Sequence, residues 1–137
     1  MKKLLFIFCI LISTLAFCQN QSVDCRIAQS YINQNMKEWH VFIDELSKEF
    51  EKTNSPDIQF KRAVVRHLYL AYLLFNDKNS NQIEIQLEGL EKDIEDLEKT
   101  TKYGKTVLAL KSPCLAYSAL NNPFTAVYRL PTSFSAA

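Results

Sequence analysis

Apolar residues along the chain recur at steps of three and four, the period of helices with one buried face, and polar breaks divide that pattern into segments. Asp24 to about Asn33 opens the series, with Ile27, Ala28, Tyr31 and Ile32 on one stripe. Asn35-Met36-Lys37-Glu38 has the form of a capping box, so a helix either starts there or runs through it. Met36, Trp39, Phe42 or Ile43, Leu46 and Phe50 carry the pattern to Thr53-Asn54. The spacing predicts helical structure over about 24–52.

Ser55-Pro56-Asp57 is a helix start, since Ser caps, Pro suits the first turn and Asp suits the positive dipole end. The helix it opens is predicted over 56–75. His67 to Phe75 is apolar almost all round, which implies contacts on several sides, and Ala63, His67 and Ala71 form a line where a neighbour can approach. After the break Asn76-Asp77-Lys78-Asn79-Ser80, the residues Ile83, Leu87, Leu90, Ile94 and Leu97 define a narrow seam. They predict a helix over 81–100 with most of its surface in water. Gly89 costs that helix about 1 kcal/mol relative to Ala.

Tyr103-Gly104 closes the next break, and a helix is predicted over 105–121 with Val107, Leu108, Leu110, Leu115 and Ala119 as core. Pro113 either kinks it or restarts it. Asn122-Pro123 repeats the start signal and predicts a short helix over 123–129; Pro131 to Ala137 has no periodicity. The reading is an all-α domain of antiparallel helix pairs. Residues 35–76 make one helix–turn–helix and 80–121 another, a period of about 45 that follows the stacked-hairpin logic of the shorter tetratricopeptide (TPR) repeat. With Gly at positions 89 and 104 only, turn-rich β architectures are disfavoured.

The N-terminus changes the compartment. Met1-Lys2-Lys3 followed by the apolar run Leu4 to Ile12 has the layout of a bacterial secretory signal. The run is shorter than the about 20 residues that a spanning helix needs. Ala16-Phe17-Cys18 places small residues where a signal peptidase reads, so residues 1–18 are expected to leave and 19–137 to remain as one domain, periplasmic or extracellular. The rival is a lipid anchor at Cys18, disfavoured because Phe17 is large for a lipobox. Loss of Lys2 and Lys3 takes 16 basic residues to 14 against 15 acidic ones, and the net charge from +1 to −1. That balance lacks the basic footprint of a nucleic-acid or anionic-membrane binder.

The chemistry-bearing residues are few. Cys25 and Cys114 remain after cleavage; a disulfide between them is permitted outside the cytoplasm, but two thiols packing as small hydrophobes is the favoured reading. Glu84, Glu88, Glu91, Asp93, Glu95, Asp96 and Glu98 are read as a solvated helix face, with surface pairing to Lys61, Arg62 and Arg66 worth little. His40 lies four residues from Met36, so the two share a helix face and cannot ligate a haem from opposite sides. No base or orienting acid is fixed beside Cys114, and Gly-rich phosphate loops and zinc-spaced Cys/His sets are absent, so no cofactor or metal is expected.

Tyr31-Ile32-Asn33-Gln34-Asn35-Met36-Lys37-Glu38-Trp39, Leu68-Tyr69-Leu70-Ala71-Tyr72, Ala109-Leu110-Lys111 and Asn122-Pro123-Phe124-Thr125-Ala126 together resemble a group of secreted, tetratricopeptide-like helical proteins of Gram-negative bacteria. The resemblance covers most of the mature chain through packing positions and implies a scaffold or binding role with no reaction. Pro113 departs from the pattern. So does Leu130-Pro131-Thr132-Ser133, which stands where such proteins carry a Gly-Pro-x-Ser element and a further helix. The expected function is an exported, non-enzymatic module that binds a protein or peptide in the groove between helix pairs, with Trp39, Tyr69, Tyr72 and Tyr117 as candidate contacts. The alternatives are a small periplasmic enzyme or carrier using Cys114 and His67, and a truncated fragment without independent function.

Overall fold

The computed structural model describes residues 22–121, and these residues form five helices and no strand. The helices are α1 (Val23–Ile32), α2 (Trp39–Thr53), α3 (Pro56–Asn76), α4 (Gln82–Glu98) and α5 (Leu108–Asn121). The all-α expectation holds. The expected signal segment, Cys18, the short helix over 123–129 and the tail lie outside the described residues. Two units are distinguished, one up to Asn35 and one from Met36 onward.

In the first unit, Ser22 caps α1 by accepting a hydrogen bond from the Cys25 amide at 3.4 Å, and Asp24 sits in the first turn. No residue of α1 is buried, and Tyr31 and Ile32 of the predicted apolar stripe are 57% and 76% exposed. The helix stops at Ile32 because Gln34 takes a left-handed backbone conformation, φ 54°. Of the two readings of the stretch 24–52, a run-through or a second start, the structure shows two helices. Asn35 does not form the predicted capping box: α2 begins at Trp39 behind Glu38, with no side-chain cap.

In the second unit, α2 buries Trp39, Ile43 and Leu46, spaced as one helical face requires. Asn54 ends it in the left-handed region at φ 48°, a conformation that Asn tolerates, and its amide donates to the Phe50 carbonyl at 2.7 Å. Pro56 then occupies the first turn of α3 as the sequence indicates, although Ser55 makes no side-chain cap. Side-chain partners step backward along α3 as they advance along α2, from Tyr69–Lys37 to Arg62–Phe50. They do the same along α4, from Arg66–Asp93 to Asp57–Lys102 just beyond its end. Both pairs of helices are antiparallel.

Helix α3 packs on α2, α4 and α5, which accounts for its nearly all-round apolar character. Ala63, Val65, Leu70 and Leu73 are buried in it. Helix α4 buries the whole predicted seam, and beside it Gln86 and Asp93 as well. The segment 101–107 forms turns, so α5 starts three residues later than the sequence suggests. Here Gly104 is needed for space, since a Cβ would stand 2.8 Å from the Thr100 carbonyl oxygen. Helix α5 runs through Pro113 without restarting and buries Cys114 and Ser118, while Leu108, expected in the core, is 44% exposed.

Candidate functional site

Where the start of α2, the end of α3 and the start of α4 meet, they line a cavity of about 530 Å³ that is open to solvent on one side. Lys37 and His40 come from the α2 end, and Tyr69, Tyr72, Leu73 and Asn76 from α3. Asp77, Ser80 and Gln82 come from the connection and from α4. Tyr69, Tyr72 and Leu73 are three and four residues apart, so one face of α3 presents them together. The Tyr69 hydroxyl donates to the Lys37 carbonyl at 3.3 Å and ties the two helices at the pocket wall. Burial raises the pKa of that hydroxyl, with smaller contributions from Tyr72 and Asp77.

Three rings form a row along this wall. His40 lies 6.5 Å from Tyr69 at an interplanar angle of 32°, and Tyr69 lies 6.4 Å from Tyr72 at 12°. The Nδ1 atom of His40 is buried and has no hydrogen-bond partner among the described residues. Around the rim, the Asn76 amide donates to the Tyr72 carbonyl at 2.9 Å, and the Ser80 hydroxyl oxygen accepts from the Gln82 amide at 3.3 Å. The arrangement offers aromatic faces, hydrogen-bonding groups and one charge of each sign, from Asp77 and Lys37.

The sequence candidates separate accordingly. Tyr69 and Tyr72 are brought together in the pocket. Trp39 is 0% exposed in the core and has no surface to give a partner, a correction to its reading as a contact. Tyr117 lies on α5, stacked on His67 at 5.4 Å, with burial and then Cys114 raising its hydroxyl pKa. Burial lowers the pKa of His67, whose Nδ1 has no partner among the described residues. Cys25 is exposed and Cys114 buried, each as a thiol. At 3% exposure the Cys114 sulfur is poorly placed to attack a substrate arriving from solvent. Asn76 and Asp77 were not singled out by sequence reasoning, and His40 was weighed only as a haem ligand and set aside. The available signal was Tyr69 and Tyr72 at helical spacing, immediately ahead of a polar break.

The other concentration of polar chemistry lies between α3 and α4. Asp93, read from the sequence as part of a solvated face, is 1% exposed. Arg62 grips its carboxylate with Nε, at 3.1 Å, and with Nη2. Arg66 Nη1 reaches it at 2.8 Å, and Gln59 Nε2 stands 3.5 Å away. The Arg62 guanidinium also covers the Phe50 ring at 4.8 Å, joining α2 to the cluster. Burial lowers the Arg66 pKa, and Asp93 opposes that shift. The room for Arg66 comes from Gly89, where an added Cβ would lie 2.5 Å from the guanidinium carbon. These groups bind one another, save for Arg66 Nε, which is buried without a hydrogen-bond partner among the described residues, and they fix the register of two helices, a structural role.

Comparison of the chain with protein-family models, with curated proteins and with solved structures gives no match. Among the described residues, no helix is long and apolar enough to cross a membrane, and no group of three or more His, Cys, Asp or Glu is placed to hold a metal ion.

Proposed function

We propose that this chain is an exported, non-enzymatic helical interaction module that receives a segment of a protein or peptide in the cavity at the α2–α3–α4 end. The observation that carries the reading is the convergence of Tyr69, Tyr72 and His40 on one cavity of about 530 Å³ with polar groups at its rim. Concave sites lined by aromatic side chains with a few polar groups are the usual form of a binding site. The secretory layout of residues 1–18 and the resemblance to tetratricopeptide-like secreted proteins support export and a scaffold role.

A peptide-array screen with the purified protein, repeated with Tyr72→Ala, tests the binding. Tyr72 is only half-buried, so its loss leaves the core intact. The expected result is a set of peptides retained by the native protein and released by the variant. Peptides held equally by both would reject this cavity as the site. Cell fractionation with N-terminal sequencing tests the export, and the expected first residue outside the cytoplasm is Gln19.

A further inference from the structure

One of the two opposite charges at the cavity, Asp77, stands where the helix beneath it does not favour it. Three helix ends meet there, and two of them have a complementary charge. The positive N-terminal ends of α2 and α4 are answered by Glu38 at the α2 N-cap and Glu84 in the first turn of α4. The negative C-terminal end of α3 has no basic residue in its last turn and carries Asp77 at its C-cap, a carboxylate at the dipole end that repels it. Asp77 is exposed and makes no ion pair among the described residues. A misplaced charge of this kind, beside a cavity, fits a partner of opposite sign.

The surroundings narrow the cation. Tyr69 and Tyr72 precede Asp77 on the same helix, with rings 6.4 Å apart and nearly parallel. Ring faces attract cations, and a guanidinium both stacks on such a face and forks onto a carboxylate, which a compact ammonium does not. The cavity volume of about 530 Å³ exceeds one guanidinium and suits a whole side chain entering from an extended peptide. The opposing rim charge, Lys37, supplies a control of opposite sign. Building on the interaction-module reading above, we infer that the cavity receives an arginine side chain of the partner, its guanidinium set against Tyr72 and Asp77.

The test is a titration of the isotopically labelled protein with N-acetyl-arginine amide, N-acetyl-lysine amide and the neutral isostere N-acetyl-citrulline amide, followed by NMR. The arginine probe is expected to shift the resonances of Tyr72, Asn76 and Asp77 saturably, and the other two to bind at least about tenfold more weakly. Asp77→Asn is expected to weaken the arginine probe about tenfold, and Lys37→Ala to strengthen it. Because Asp77 opposes its own helix dipole, Asp77→Asn is also expected to raise the urea midpoint, so lost binding would not trace to lost folding. Equal binding of citrulline or lysine would overturn the assignment. Reversed signs for the two variants would overturn it in favour of an anionic ligand. Array peptides that need Tyr72 but show no preference for arginine would sink this inference and leave the module reading standing; an array that retains no peptide would sink both.

Discussion

Replacing Gly89 by Ala in mid-helix normally stabilises a protein by about 1 kcal/mol, because Gly carries the larger backbone entropy cost. In this molecule the sign is expected to reverse. The three atoms nearest the added Cβ are Cζ, Nη1 and Nη2 of Arg66, at 2.5, 2.5 and 2.9 Å, so the guanidinium must withdraw. Withdrawal breaks its 2.8 Å bond to the buried Asp93 carboxylate. A hydrogen bond to a charged group is worth about 1.5–3 kcal/mol, so the net effect is a loss of about 0.5–2 kcal/mol. Urea unfolding followed by circular dichroism would read this as a lower midpoint at unchanged slope. Arg66→Met removes all three clashing atoms while keeping an apolar stem. In that background Gly89→Ala should regain its ordinary stabilisation of about 1 kcal/mol, a coupling measurable by double-mutant cycle. A stabilising Gly89→Ala in the native background, or the same sign in both, would refute the idea that Gly89 exists to admit Arg66.

Asp93→Asn leaves two buried guanidiniums facing a neutral amide and is expected to cost about 3–5 kcal/mol, measured by the same unfolding assay. His67, whose pKa burial lowers below its ordinary 6.5, binds its proton more readily in the unfolded chain, so stability should fall as pH drops from 6.5 toward the folded value. His67→Gln should flatten that part of a stability–pH profile. Asp57 accepts bonds from Lys102 and Tyr103, and these hold its carboxyl below the usual 3.8. An NMR titration should find it there, and Lys102→Met should return it toward the ordinary value.

Helix existence was legible in the sequence because the apolar period is strong: Trp39, Ile43 and Leu46, and the seam from Ile83 to Leu97, all went where their spacing placed them. Breaks were harder. The left-handed turn at Gln34 is set by local backbone choices, and no Gly or Pro marks it. Asp93 was misjudged because a run of acids reads as solvated, although it sits three residues after Leu90 and four before Leu97, on the buried face. Arg62 and Arg66 on α3, four apart like Gly89 and Asp93 on α4, were the clue. Of the candidate site, Tyr69 and Tyr72 were found by residue type, whereas His40 and Asp77 depend on which helix ends meet, and one-dimensional spacing does not carry that.

Both glycines of the chain serve to make room, and neither has a positive φ. Among the described residues the left-handed positions are occupied instead by Gln34 and Asn54, which inverts the usual division of labour. Mutational tolerance should follow suit, with positions 89 and 104 closed to larger residues and positions 34 and 54 open to glycine. For anyone redesigning this scaffold, backbone freedom is a resource still to be introduced at its turns, and the existing glycines are occupied space rather than hinges.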